Sequence, residues 1–203
     1  DIFINEDVIP FITNCSKVGT VHGFMDLYSI IIEYLDNFSK YSKYKILIYK
    51  DSLQGLLDII NHLCHLKVID KNRLIFIEAN KIYKFKSICF IENIYYPYDK
   101  SNFIKKCLTF KSDYIIDKIS YLKPQEFNID NIVIAKTENK WKPGRKNYIN
   151  CDEKEVIEFC KKYNYTWLKP ETMNEVVFCN LINNGKNFVI SFGSAFLKNL
   201  PFI

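Results

Sequence analysis

The sequence is poor in arginine and has no long apolar run. Of its 28 basic residues only Arg73 and Arg145 are arginines, and the net charge of +5 is spread along the chain. Proteins that read nucleic acids rely on arginine for base edges and phosphates, so this composition argues against a nucleic-acid partner. Because no apolar run reaches the roughly 20 residues that cross a bilayer, no transmembrane segment is predicted.

Paired cysteines are also missing. The seven cysteines form no C-x-x-C pair, and several stand in apolar contexts such as Leu63-Cys64. A scattered, odd number of cysteines is typical of reduced core thiols, which predicts a cytoplasmic protein; the secretory-pathway lumen is the alternative. His62 and His65 lie close to Cys64, but no second ligand pair is near them in the sequence, so no metal site is predicted.

Hydrophobic residues make up 48% and aromatic residues 16% of the 203 residues, enough for one large or two small packed cores. Lysine, isoleucine, asparagine and tyrosine are abundant, and alanine occurs only three times. This bias is typical of an A+T-rich genome, such as that of a giant virus, which would place the protein in the host cytoplasm. Much of the basic character then reflects codon usage and not function.

Predicted strands and helices alternate along the chain, which favours a mostly parallel sheet covered by helices. Pro124 and its polar neighbours mark residues 124–130 as a linker between an N-terminal α/β domain, 1–123, and a C-terminal domain, 131–203. The N-terminal patterns predict a helix from about His22 to Phe38, strands at 45–49, 73–78, 82–85 and 88–91, and helices at 52–66, 102–108 and 113–121.

The C-terminal domain has the order of a nucleotide-binding βαβ unit. The predicted elements are a helix that Asp152 and Glu155 begin as a capping box, a strand at 165–168, a helix from Thr172 to Asn183, and a buried strand at 187–191. The turn that follows, Gly193-Ser194, offers backbone N–H groups to a diphosphate. The alternative is an ordinary loop, since neither G-x-G-x-x-G nor a P-loop is present.

A second signal lies at the start of the first predicted helix. His22 and Asp26 are four residues apart and therefore share one helix face. A carboxylate in this position would hold the imidazole in one tautomer and raise its pKa toward the working pH, as a general base requires. The alternative is structural, with the two residues capping or pinning the helix.

Together these motifs resemble glycosyltransferase family 61, which includes EGF-domain O-GlcNAc transferase-like and plant xylosyl- and arabinosyltransferase-like enzymes. The family's H-x-F-x-D motif is matched by His22, Phe24 and Asp26, and its Gln-bearing helix by Gln54 onward. Three later motifs follow in the family's order. Their residues here are Ile132 to Lys136; Arg145 or Lys146 with Tyr148, Ile149, Asn150, Asp152 and Glu153; and Ala195, Leu197 and Asn199.

The resemblance covers roughly residues 15–203 and implies a GT-B fold, in which two Rossmann-like α/β domains face a cleft. It implies a glycosyltransferase that moves a sugar from a UDP-sugar to a hydroxyl of a glycan or protein acceptor. His22, steered by Asp26, would deprotonate the acceptor, and no cofactor or metal is required because no D-x-D motif is present. The donor would be bound by Lys136, Arg145, Lys146, Gly193, Ser194 and Asn199.

The sequence departs from the family at two positions. Phe192-Gly193-Ser194 replaces the family's His-Gly-Ala turn, and Lys136 stands where the family has arginine. Lysine offers a point charge in place of arginine's fork, so a catalytically inactive binding or assembly module is the alternative function. An unrelated Rossmann-like enzyme is disfavoured by the missing fingerprint. Because the family's chain continues past this turn, we expect the C-terminal domain to be truncated and its apolar end to associate, for example in a homo-oligomer.

Overall fold

The structure, a computed structural model, describes residues 1–12, 21–52, 54–91, 100–122, 130–135, 152–169 and 173–190 of the 203-residue chain. These residues form an α/β protein with two parallel sheets and flanking helices, as the alternating pattern predicts. The chain divides into two compact units, Asp1–Ile115 and Ile116–Ile203. The predicted linker lies outside the described residues except for Asp130, so its boundaries stay a prediction. None of the described helices has the length and apolar character needed to cross a membrane.

The first unit contains a four-stranded parallel sheet. Its elements are β1 (Ile2–Pro10), α1 (Val21–Asp36), α2 (Phe38–Tyr41), β2 (Lys45–Tyr49), α3 (Gln54–His65), β3 (Leu74–Ile77), β4 (Tyr83–Ile88) and α4 (Lys100–Tyr114). The strand order is β3-β2-β1-β4, and every neighbouring pair is parallel. The sequence pattern predicts β2 at its observed bounds and misses β1.

The inner strand β2 is covered on both faces. Ile46, Leu47 and Ile48 are all buried, the pattern of a parallel strand whose two faces both contribute to the core. The helices around it bury apolar stripes at helical spacing. These stripes consist of Leu27, Tyr28, Ile31 and Tyr34 on α1, Leu56, Ile59, Ile60 and Leu63 on α3, and Phe103, Cys107 and Phe110 on α4.

Two predicted breaks in this unit are wrong. A single strand, β4, crosses the predicted break at 86–87, because its parallel pairing with β1 continues through Ser87 and Ile88. Residues 89–91, predicted as strand, are not part of it. A single helix, α4, covers the predicted helix 102–108 and continues to Tyr114, whereas most of the predicted helix 113–121 is not helical and ends in a 3-10 turn at Ser120–Leu122. The buried stripe of α4 runs without interruption, so tertiary packing continues the helix where the local pattern is weak.

Arg73 joins three segments of the first unit just before β3. Its guanidinium donates to the carbonyl oxygens of Tyr41 and Tyr44 at 3.0 and 3.1 Å and to the hydroxyl of Tyr34. The guanidinium carbon also lies 5.6 Å from the centroid of the Tyr34 ring. Because one planar group serves α1, α2 and the turn before β2, this arginine has a structural role.

The second unit contains a three-stranded parallel sheet. Its elements are β5 (Asn131–Ile134), α5 (Glu153–Tyr163), β6 (Thr166–Leu168), α6 (Glu175–Asn184) and β7 (Asn187–Ile190). The strand order is β6-β5-β7, which makes β5 the central strand. These elements confirm the predicted helix after Asp152 and the predicted strands at 165–168 and 187–191 to within one residue at each described end.

The predicted N-cap is confirmed for α5 and is wrong for α6. Asp152 Oδ1 accepts from the backbone N–H of Lys154 at 2.7 Å and of Glu155 at 3.4 Å, so the predicted cap is confirmed. The start of α6 at Thr172 is wrong, since its N-cap is Asn174. The side-chain oxygen of Asn174 accepts from the backbone N–H groups of Val176 and Val177, and the helix therefore begins at Glu175.

Alternate residues of β5 enter two separate cores. Ile132 and Ile134 pack on the α6 side, with Leu168 and Phe178. Val133 and Ala135 pack on the α5 side, with Val156. Both faces of β5 are therefore buried, and the carboxyl end of the strand lies between two helix layers.

Candidate functional site

A cavity opens on the α5 side of the second sheet, at the carboxyl ends of β5 and β7. Its volume is about 240 Å³. Ligands of open α/β sheets bind at this edge of the strands, where the connecting loops diverge. The described residues that line it are apolar with one exception, Glu155, and comprise Val133, Ala135, Glu155, Val156, Phe159, Val189 and Ile190.

The wall that α5 contributes is built by its first two turns. Val156 is buried against β5, while Phe159 is half-buried and its ring lies 4.8 Å from Tyr163 and 5.5 Å from Tyr165, between centroids. These aromatic contacts hold the Phe159 ring in place beside the cavity. On the opposite wall Val189 is 40% exposed, so the cavity opens toward solvent along β7.

The mouth of the cavity is acidic on the α5 side. Asp152, Glu153 and Glu155 belong to the cap and first turn of α5, and Lys154 is the one basic residue among them. The Asp152 carboxylate already occupies the N–H groups of Lys154 and Glu155. The helix terminus therefore carries its own anion and has these two donors satisfied. Among the described residues no group bonds to the Glu155 carboxylate.

A second cluster joins the ends of β5 and β6 at the same edge. Trp167 Nε1 donates to the carbonyl oxygen of Ala135 at 3.1 Å. Lys169 Nζ lies 4.0 Å from the centroid of the Trp167 ring and 2.9 Å from Glu153 Oε1. The ammonium group is thus held by an aromatic face and a carboxylate, and it neutralises part of the acidic turn.

The predicted donor-binding residues lie outside the described part of the chain. This holds for Lys136, Arg145, Lys146, Gly193, Ser194 and Asn199, so their roles stay predictions. Two neighbours can be placed. Ala135, which precedes Lys136, is buried at the cavity, and Ile190, the last residue of β7, lines it three residues before Gly193.

The predicted catalytic pair lies on α1. His22 and Asp26 are the second and sixth residues of this helix, so its backbone places them on one face, one turn apart. The structure describes the backbone of this turn and not the two side chains. Because α1 connects the parallel strands β1 and β2, its first turn belongs to the carboxyl edge of the first sheet.

Charged side chains also meet at the carboxyl edge of the first sheet. Glu78, directly after β3, bonds to Lys50 at 2.9 Å and to Lys81 at 2.8 Å. Hydrogen bonds from Lys81 and Lys50 lower the pKa of Glu78 to about 2. The sequence analysis missed this cluster, because its members come together only when β2 and β3 pair.

His62 has a structural role in the first unit. His62 is fully buried, and its Nε2 lies 2.5 Å from the carbonyl oxygen of Tyr114. Burial lowers the pKa of His62 below its ordinary value. Among the described residues, no group of three or more His, Cys, Asp or Glu side chains is placed to hold a metal ion.

Comparisons with known proteins add no relative. No family model, no curated protein and no solved structure matches the chain.

The cavity lining is not predicted by the sequence pattern. The sequence pattern places Val156 and Phe159 only within a helix and Trp167 only within a strand. A signal was present: Glu155 and Phe159 are four residues apart, which places an acidic and an aromatic side chain on one face of α5 at its N-terminal end.

Proposed function

We propose that this protein is a nucleotide-sugar-dependent glycosyltransferase of the family 61 type, which transfers a sugar from a UDP-sugar to a hydroxyl of a glycan or protein. The observation that carries the proposal is the cavity at the carboxyl ends of β5 and β7. A parallel α/β unit that opens at this edge is a common setting for a nucleotide. The adjoining segment, Tyr148 to Glu153, matches one of the family's motifs.

In this proposal the second unit binds the donor and the first presents the acceptor, as in a GT-B enzyme. The bond between the anomeric carbon and the diphosphate breaks, and a bond to the acceptor oxygen forms. Lys136, Arg145 and Lys146 would neutralise the diphosphate that leaves. His22, oriented by Asp26, would take the acceptor proton. The placement of both residues in the first turns of α1 supports this role.

The proposal is tested by calorimetric titration of the 203-residue chain with UDP, GDP, ADP and CMP. We expect UDP to bind with a dissociation constant on the order of micromolar. Replacing Arg145 and Lys146 together by Ala should weaken UDP binding by about 2–4 kcal/mol, because charge-assisted hydrogen bonds are each worth roughly 1.5–3 kcal/mol. If none of the four nucleotides binds measurably, the proposal is wrong.

A matched control is available on the last turn of α5. Lys161 and Lys162 are exposed there, at the end of the helix away from the cavity. Their double replacement by Ala removes the same charge as the Arg145 and Lys146 variant. If the control weakens UDP binding equally, the loss reflects net charge, and the phosphate site lies elsewhere.

The second candidate function is an inactive binding module. It is favoured by the missing histidine of the family's His-Gly-Ala turn, where this chain has Phe192-Gly193-Ser194, and by Lys136 in place of arginine. A transfer assay separates the two functions: UDP release from a panel of UDP-sugars with glycan acceptors supports the enzyme. UDP binding without any release supports the module.

A further inference from the structure

We propose that the cavity between α5 and β7 binds the uncharged nucleoside end of the donor, with Glu155 as an acceptor of its hydrogen bonds, and that the acidic first turn of α5 keeps the diphosphate outside. The inference rests on the proposed function and deepens it. It assigns an orientation to the bound nucleotide and a specificity role to Glu155.

The size of the cavity limits what it can hold. Sites that enclose a whole small-molecule ligand measure roughly 300–1,000 Å³. The cavity measures about 240 Å³ and therefore suits one part of a nucleotide sugar. The remainder of the ligand would lie outside it, beyond the strand ends.

The lining selects an apolar or aromatic body. Val133, Val156 and Val189 offer only methyl groups, and a charged phosphate placed among them would lose its hydration without compensation. Phe159 offers a ring held in place by Tyr163 and Tyr165, beside which a flat heterocycle can pack. A nucleobase has this shape and carries no charge.

The charges beside the cavity also favour an uncharged ligand group. The first turn of α5 carries three carboxylates, those of Asp152, Glu153 and Glu155, and the cap already uses two of the N–H groups that a phosphate would need. Two lysines offset part of this charge, Lys154 in the same turn and Lys169, which pairs with Glu153, and one carboxylate remains in excess. A diphosphate at this terminus would face repulsion from the acidic turn, whereas an uncharged nucleoside would not.

Glu155 is the side chain suited to recognise the nucleoside. A carboxylate is an acceptor only, so it bonds to the N–H groups of a base or to the hydroxyl groups of a ribose. Glu155 lines the cavity, and its carboxylate is exposed at the mouth. The remaining lining residues supply no acceptor side chain, which makes Glu155 the specificity-determining residue among those described.

The test compares uridine and UDP by calorimetry on the full chain and four variants. Val189→Phe fills the cavity mouth, and Ile157→Phe makes a comparable enlargement on the exposed side of α5 outside the lining. Glu155→Gln removes the charge at the cavity, and Glu158→Gln removes the same charge elsewhere on the helix. Circular dichroism melting checks that each variant is folded.

We expect Val189→Phe to lower the affinity for both uridine and UDP by at least about 10-fold. Ile157→Phe should leave both affinities unchanged. Glu155→Gln should lower the affinity for uridine by roughly 10-fold, since a hydrogen bond to a charged group is lost. The affinity for UDP should fall by less, because the same change removes a negative charge that repels the diphosphate. Glu158→Gln should change neither affinity.

Two results would overturn the inference and leave the proposed function standing: UDP binding that Val189→Phe does not weaken, or a Glu155→Gln variant that behaves like Glu158→Gln. A wild-type chain that binds UDP but not uridine would also overturn it. A chain that binds no nucleotide and no nucleoside would remove the proposed function itself.

Discussion

His62 Nε2 lies 2.5 Å from the carbonyl oxygen of Tyr114, and the imidazole is completely buried. Because a carbonyl oxygen can only accept, Nε2 carries the proton in this pair. Tyr114 is the last residue of α4, where a helix leaves carbonyl oxygens without intrahelical donors. The imidazole of His62, on α3, therefore donates to a carbonyl oxygen at the end of α4 that has no donor within its own helix. This bond connects two helices that are distant in sequence.

Burial of His62 predicts a loss of stability in mild acid. Its folded-state pKa is lowered, chiefly by burial, while the unfolded chain titrates near 6.5. The unfolded state thus binds more protons, and the contribution to stability is fully present above about pH 6.5 and is lost as the pH falls below it. We expect the free energy of unfolding, measured with urea, to fall by up to about 1 kcal/mol between pH 6.5 and 5.5.

The exposed neighbour His65 provides the control for this measurement. His62→Gln should remove this part of the pH dependence, and His65→Gln should retain it. Equal pH dependence in wild type and His62→Gln would show that other groups cause the acid sensitivity.

Arg73→Lys should destabilise the protein by about 1–3 kcal/mol, although the charge is conserved. Lysine has one small ammonium group and cannot reproduce the planar set of bonds to Tyr34, Tyr41 and Tyr44. Tyr34→Phe removes only one of these bonds and should cost about 0.5–1.5 kcal/mol. Denaturant unfolding of both variants checks the order, and an Arg73→Lys variant as stable as wild type would rule out the structural role.

Gly185→Ala should destabilise the second unit by about 1–3 kcal/mol through overpacking. A Cβ atom at this position would lie 2.6 Å from Ile132 Cδ1 and 2.6 Å from Phe188 Cζ. The backbone of Gly185, with φ of −71°, is accessible to any residue, so the requirement for glycine is steric. Adding Ile132→Val removes one of the two clashing atoms.

The double variant tests the cause of that loss. If the clash is responsible, Ile132→Val should cost less in the Gly185→Ala background than in the wild type, by an amount that a double-mutant cycle measures. If the stability losses of the two single variants simply add in the double variant, the clash with Ile132 is not the cause of the loss in Gly185→Ala.

His22→Ala should lower turnover by roughly 10²–10⁴-fold and leave UDP affinity nearly unchanged, because proton transfer is felt in the transition state and not in donor binding. If His22 only caps or packs, the same change should cost about 1 kcal/mol of stability and little activity per folded molecule. Asp26→Asn keeps the shape and removes the orienting charge, so the proposed pair requires a large loss there too. Full activity in both variants would show that the H-x-F-x-D motif has no catalytic role.

The elements that the sequence predicted best are those with strong local signals. Lys45 to Tyr49 is a short apolar run between polar turns, and β2 has these bounds. Asp152 is followed by Glu155 and by apolar residues at helical spacing, and the cap and helix form as expected. Both signals act within a few residues, so they do not depend on the rest of the fold.

The errors occurred where a distant strand or core contact decides, as in β4 and α4, or where two neighbouring residues could both cap a helix, as in α6. Pairing with β1 carries β4 through Ser87 and Ile88, and the buried stripe of α4 carries that helix past the polar residues around Lys111. Asn174 could be distinguished from Thr172 as the N-cap of α6 only by its two hydrogen bonds to backbone N–H groups. Each case depends on a contact that periodicity does not encode.

For this protein the sequence by itself determined the α/β class and the helix cap at Asp152, whose chemistry is local. Tertiary structure alone decided that β5 is the central strand of the second sheet and that α5 and β7 leave a cavity between them. It also decided that an acidic turn, an aromatic ring and a line of valines meet there. Strand order and cavities arise from contacts between distant segments, and the chain specifies these through packing and not through any local pattern.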